Sequence, residues 1–278
     1  MEKTSMRPGR WLIVVSAILY IFILSPIALA VWMSFSKSEL MFFPPREYTF
    51  SWYASLLNQT QLIDGLWLSL KLALATAALS LVLGGAAAIG LARARFRFKG
   101  FIESLFLGPL VVPVIIVGMA IYVYLYKLSG VFHAQLVPTW WALLLAHTVL
   151  TLPFTFNLLY AGMTSVNRDL ELASLDMGRT QWGTMRRITI PLLKNSAIGA
   201  AIFAFIFSFG DLEISLFLVA PGQTTLPVAM TQYAAVKIDP TIAAMSTVQI
   251  ILIAILMVLA ARFVSLGRAL TNGRNQRG

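Results

Sequence analysis

Two carboxylates, Asp211 and Glu213, stand inside an otherwise apolar stretch of this sequence at residues 196–218. An isolated carboxylate is costly in such surroundings, and the cost falls where it faces a polar cavity or a cation. The pair therefore suits a path for a positively charged solute, or a tie from one acid to a basic or hydroxyl group on a neighbouring helix. Two positions apart, the acids do not share a face of a regular helix. Both face one cavity only if the helix breaks near Gly210. Other reactive chemistry is sparse. The sequence has no cysteine, which removes disulfides and thiol catalysis. His133 and His147 offer no ligand cluster for a metal, and His147 suits helix packing or hydrogen bonding. No G-x-x-x-x-G-K-[ST] phosphate loop is present, so the chain has no visible means of gripping ATP.

The elements that must position these residues are membrane helices. Hydrophobic residues make up 59% of the chain and charged residues only 12%, against about 25% charged in soluble domains. Apolar runs at residues 11–32, 67–91, 102–126, 141–163, 196–218 and 241–263 approach or exceed the roughly 20 residues that a helix needs to cross about 30 Å of hydrocarbon. The reading is an all-α, polytopic membrane protein with six transmembrane helices. Gly84, Gly85 and Gly90, beside Ala86, Ala87 and Ala88, predict close helix approach in the second run. Pro109 and Pro113, with Gly108 and Gly118, predict a bent or interrupted third span that either lines a pathway or merely curves a packed helix. Residues 34–64 form a long connection with room for short interfacial helices. Pro221–Gly222 marks a stop after span five, and Pro227 and Pro240 bracket the connection into span six.

The formal charge of +10 is distributed by side. Sixteen of the twenty-one basic residues fall before span one, between spans two and three, between spans four and five, and at or beyond the end of span six. Lys3, Arg7, Arg93, Arg168, Arg187, Arg262 and Arg277 are among them. The positive-inside rule then places both termini in the cytoplasm. The alternation argues against nucleic-acid binding, since no aromatic–basic interleaving accompanies the charge. The basic start followed by a long apolar run reads as an uncleaved signal anchor.

The connection at residues 167–191 carries the densest set of local signals. Asn167 suits a helix cap, with Asp169 and Glu171 near the positive helix end. Gly178 suits a helix terminator and Thr180 a second cap, before Trp182, Met185, Arg186, Arg187 and Ile188. Pro191 is expected to reset the chain before span five. The product is a helix–turn–helix elbow outside the membrane. Its exposed apolar groups either enter a partner's groove or rest on the bilayer with Trp182 at the interface.

The run Leu172-Ala173-Ser174-Leu175-Asp176-Met177-Gly178, followed by Ile188-Thr189-Ile190-Pro191, resembles the EAA loop of binding-protein-dependent ABC importer permeases. Ala173, Gly178, Ile188 and Pro191 match in register, and Asp176 resembles the acid two positions before the glycine. Leu172 stands at the usual glutamate position, with Glu171 one position early. Ser174 replaces an alanine, Met185 a phenylalanine and Ile190 a leucine. Further stretches, from Ser34-Phe35-Ser36 and Phe43-Pro44-Pro45 through Leu91-Ala92-Arg93-Ala94-Arg95-Phe96 to the segment from Phe209 to Pro227, are similar to the spermidine/putrescine C-type permeases.

The resemblance implies a type I (MetI-like) importer fold and a permease subunit for a polyamine-like cation, in the bacterial cytoplasmic (inner) membrane. It implies residues 1–10 as a cytoplasmic segment, 11–267 as the permease domain including the elbow, and 268–278 as a cytoplasmic tail. The implied partners are a homologous permease subunit, two cytoplasmic ATPase subunits carrying ATP and Mg, an extracytoplasmic solute-binding protein and membrane lipid. The chain itself would be no enzyme and hold no cofactor. Glu171, Leu172, Ala173, Ser174, Asp176, Gly178, Met185, Ile188 and Pro191 would couple to the ATPase, while Asp211, Glu213, Pro109 and Pro113 are pathway candidates. A stand-alone ion-coupled secondary transporter is the competing class.

Overall fold

The computed structural model describes residues 10–39, 42–95, 97–220 and 222–275. Lys3, Arg7, Phe96, Pro221 and Arg277 lie outside them. The described chain is helical: α1 (Arg10–Met33), α2 (Ser51–Leu56), α3 (Thr60–Arg93), α4 (Lys99–Leu107), α5 (Val114–Phe132), α6 (Trp140–Ser165), α7 (Arg168–Asp176), α8 (Gln181–Thr184), α9 (Ile190–Gly210), α10 (Ser215–Leu218), α11 (Leu226–Val236) and α12 (Thr241–Asn275). Among the described residues, six helical segments are long and apolar enough to cross a membrane. The chain divides into two compact units, residues 1–59 with 232–251, and residues 60–231 with 252–278.

The larger unit is built on α3, α6 and α9, which pack against one another. Without water to drive apolar association, close packing and interhelical hydrogen bonds must hold such a bundle. The buried face of α3 accordingly carries small residues at helical spacing, Ala73, Ala77, Ser80, Gly84 and Ala88. A Cβ on Gly84 would lie 2.8 Å from Thr155 Oγ1 and 3.1 Å from the Phe156 amide nitrogen. Gly84 therefore fulfils the close approach expected of the second span, whereas Gly90 has open space around it. Where side chains are larger they interdigitate, as Phe106, Phe156 and Tyr160 do in a stack.

Four spans differ from their sequence boundaries by more than two residues, the sixth by running on as helix to Asn275 instead of ending at 263. The second begins at Thr60, seven residues before Trp67, because polar Gln61 and Asp64 do not stop a helix. The third is divided: α4 passes into a 3₁₀ turn at Gly108–Leu110, and α5 restarts after Pro113, whose extended ψ of 132° ends the helical path. Pro109 and Pro113 thus interrupt the helix rather than bend it. In the fifth, Pro191 does not reset the chain. Helix runs from Gln181 to Gly210 through a π turn at Met185–Thr189, and Pro191 sits in the first turn after it. The wider turn changes the hydrogen-bond register where the proline's missing donor would otherwise be felt. Beyond Gly210 the helix breaks and resumes as α10.

The smaller unit orders the connection after α1. Ser36 bridges Tyr48, Thr49 N donates to the Phe35 carbonyl at 2.8 Å, and Trp52 Nε1 donates to the Ser36 carbonyl at 2.7 Å. Phe35, Phe50 and Tyr53 cluster their rings beside α2. In the same unit buried Asp239 accepts from Thr241 N at 2.9 Å at the start of α12, and Lys237 Nζ lies 2.8 Å from its other oxygen.

Candidate functional site

The elbow is held by hydrogen bonds that its sequence specifies. Asn167 Oδ1 accepts from Asp169 N at 2.9 Å and opens α7. At its far end Gly178 adopts φ +83°, Gly178 N donates to the Leu175 carbonyl at 2.9 Å, and Arg179 N donates to the Ser174 carbonyl at 3.2 Å. That paired pattern is a Schellman stop, which favours glycine because a side chain is strained at positive φ. Thr180 Oγ1 then accepts from Gly183 N at 3.1 Å and starts α8. Buried Ser174 and Thr184 exchange a hydroxyl–hydroxyl hydrogen bond of 2.9 Å that joins the two helices.

Helical spacing gives α7 two faces. Glu171 and Ser174 point inward. Glu171 Oε2 lies 2.8 Å from Arg93 Nε at the end of α3, and its Oε1 accepts from Thr189 Oγ1 at 2.7 Å. Leu172, Ala173, Asp176 and Met177 are exposed, as are Trp182, Arg186, Arg187 and Pro191 on the following turns. Met177 is 85% exposed and Trp182 64%, so the chain itself leaves apolar side chains of the elbow uncovered. Met185 and Ile188 are half-buried, and Met185 joins Arg93, Glu171 and Leu175 around a cavity of about 320 Å³.

The two membrane acids part company at the break. Asp211 turns inward with 6% of its side chain exposed. Its Oδ2 accepts from Ile214 N at 3.2 Å and Ser215 N at 3.1 Å, so it caps α10. Glu213 is exposed. The break near Gly210 is present, but it separates the acids instead of aiming both at one cavity. His147, fully buried on α6, braces both sides of it: Nδ1 lies 2.9 Å from Ser208 Oγ on α9, and Nε2 lies 3.1 Å from Ser215 Oγ on α10. Asp211 Oδ2 is 3.7 Å from Nε2. From a third side, a Cβ on Gly118 of α5 would come within 3.0 Å of Ile214 Cα. Pro109 lines a small apolar cavity with Phe106 and Pro153, and Pro113 is exposed.

Arg93 and Thr189 stand in the quoted motif stretches without a site role of their own, and neither Thr184 nor the hydroxyls around His147 carry one. The available signal was the recurrence of Ser and Thr at buried helix positions, such as Ser80, whose Oγ pairs with Thr151 Oγ1 at 2.6 Å.

Residues 80–267 match the model of the family described as binding-protein-dependent transport system inner membrane component. The chain belongs to that family. It has the all-α, six-span type I ABC-importer permease fold and is a non-catalytic permease subunit of an ABC-type importer for a small solute. Family membership sets aside the ion-coupled carrier. The permease is 26% identical over 255 residues to the spermidine/putrescine transport system permease protein PotC of Shigella flexneri, covering 92% of this chain and 94% of that one. It is 34% identical over 96 residues to the putative 2-aminoethylphosphonate transport system permease protein PhnV of Salmonella typhimurium, 34% of this chain and 36% of that one. Among solved structures, a bacterial ABC transporter involved in the import of the acidic polysaccharide alginate superposes with a TM-score of 0.72 at 15% identity, over 92% of this chain and 95% of the other. An amino acid ABC transporter superposes at 0.58 with 17% identity, over 78% and 99%.

Proposed function

We propose that this permease forms one half of an ATP-driven import path for a small aliphatic ammonium solute, with spermidine or putrescine as the leading substrates. A homologous permease subunit would complete the path. Two cytoplasmic ATPase subunits would hydrolyse ATP with Mg, and an extracytoplasmic solute-binding protein would deliver substrate. Both termini face the cytoplasm in this reading, because the basic connections then lie on the inner side.

The observation that carries the proposal is the elbow. A short helix capped at both ends presents Leu172, Ala173, Asp176 and Met177 on its outer face, and Trp182 is exposed on α8 after it. Apolar anchors on a pre-ordered helix suit a groove, since little ordering entropy remains to be lost on docking. Gly178 and Ser174 shape that surface, Met185 lines the cavity beneath it, Ile188 is half-buried on the following turn, and Pro191 follows on the exposed side of the helix. Glu171 acts from the inner face, through Arg93 and Thr189.

Support for the substrate class comes from chemistry. The solutes named for PotC and PhnV both carry a primary ammonium group, and the PotC likeness spans nearly the whole chain. On the pathway side Glu213 is the free-facing acid, whereas Asp211 is committed to the α10 cap. Pro109 and Pro113 shape the interrupted third span, whose second half, α5, contacts α10. Calorimetry on the cognate solute-binding protein should show spermidine or putrescine binding, and uptake by reconstituted complex should require ATP. Binding of a solute without an ammonium group, and none of a polyamine, would reject the substrate assignment.

A further inference from the structure

We infer that Arg93, Glu171 and Thr189 form a strut that carries elbow displacement into the membrane bundle, with Glu171 a positioning residue rather than a docking contact. The inference rests on the docking role proposed for the elbow and deepens it.

Both oxygens of Glu171 are engaged, and each reaches a different membrane helix. Oε2 meets Arg93 at 2.8 Å on the last turn of α3, and Oε1 accepts from Thr189 at 2.7 Å in the π turn that leads into α9. The Arg93 contact is an ion pair, for its Nε–H is not aimed along a hydrogen bond. Side-chain exposures of 24% for Arg93 and 14% for Glu171 shield the pair from water more than a surface pair is shielded. Such a pair resists separation, because breaking it leaves a partly desolvated charge on each side. Arg93 Nη2 also approaches the Val166 carbonyl at 3.4 Å, just before the elbow begins.

The geometry makes the elbow a bracket with three attachments. Covalent continuity joins its far end to α9, the Ser174–Thr184 hydrogen bond closes α7 onto α8, and Glu171 ties α7 back to α3. Since α3 and α9 pack together and against α6, a push on the outer face of α7 cannot be absorbed locally. The unusual order of residues follows from this division. Leu172 occupies the outward position while Glu171, one residue earlier, falls on the inward face.

Glu171→Gln and Arg93→Gln each break the ion pair, and the exchanged pair Arg93→Glu with Glu171→Arg restores opposite charges. The absence of cysteine permits nitroxide labels at Ala86 on α3 and at exposed Arg179 on the elbow. In purified permease without partners, each single variant should broaden the distance distribution between the labels, and the exchanged pair should narrow it again. In the reconstituted complex, the single variants should keep ATPase subunits bound and ATP hydrolysis running while solute moved per ATP falls about fivefold or more. Unchanged label distances and an unchanged transport ratio would overturn the strut. Loss of ATPase association in both single variants without recovery in the exchanged pair would also overturn it, by making Glu171 a docking contact. Failure of the unmodified permease to hold an ATPase subunit, with the label result as expected, defeats the docking role and leaves the strut standing.

Discussion

His147 shows how a single side chain organises a break in a membrane helix. An imidazole can pair through each nitrogen, and each here pairs with a serine on a different side of the break. His147→Ala removes both ties and leaves a void, and should lower stability in detergent by about 1–3 kcal/mol, measured by chemical unfolding. Asp239 works outside the spans. Burial pushes its carboxyl up, but hydrogen bonds from Lys237, Thr241 and Tyr233 together hold it below its usual 3.8. A depressed folded value means stabilisation above about pH 4, lost as pH falls through the folded value. Acidification from pH 6 to pH 3 should therefore destabilise the native chain more than Asp239→Asn, compared by thermal unfolding at each pH.

At the scale of elements, glycines do two different jobs. Gly84 permits contact between α3 and α6, so Gly84→Ala should overpack the interface at a cost of about 1–3 kcal/mol. Gly85→Ala meets only an ordinary 3.6 Å contact with Leu159, and Gly90→Ala meets nothing within 4 Å. Unfolding measurements should rank the three with Gly84→Ala clearly the most damaging; equal losses would remove the close-packing argument. Gly178 instead sets backbone direction. Its φ of +83° cannot be reached by proline, which is locked near −65°, and the donor to Leu175 would vanish with the substitution. Gly178→Pro should leave membrane insertion intact while ATPase co-purification and uptake fall, and normal values of both would count against the elbow as coupling site.

At the scale of the whole chain, the membrane helices differ in how much of their surface the chain itself covers. The membrane window of α6 is 61% buried within the chain, while none of the α1 window is. Lipid or another protein surface must cover the apolar side chains of α1. Orientation can be tested directly. With basic connections inside, alkaline phosphatase fused after Asn58 should be active and the same enzyme fused after Arg97 inactive; the reverse pattern would invert the topology.

Much of this was legible in order along the chain. Six crossings followed from run length, and the elbow from Asn167, Gly178 and Thr180, because caps and stops act within a few residues of themselves. The interruption at Pro109 and Pro113 was equally local. Pro191 misled for the same reason: a proline reads as a boundary, but a π turn ending two residues upstream lets the helix continue. The partners of Glu171 and His147 were not legible, since Arg93 lies 78 residues from Glu171 and Ser208 lies 61 from His147.

By itself, then, the sequence determined the solvent of each segment, the number of crossings and the local shape of the elbow, since hydropathy and capping depend on neighbours in the chain. Only the tertiary structure decided which face of α7 looks outward, which membrane acid is exposed, and which helices Glu171 ties the elbow to. Those outcomes depend on pairings across helix interfaces, where small residues bring distant segments together and lipid offers buried polar groups no alternative partner.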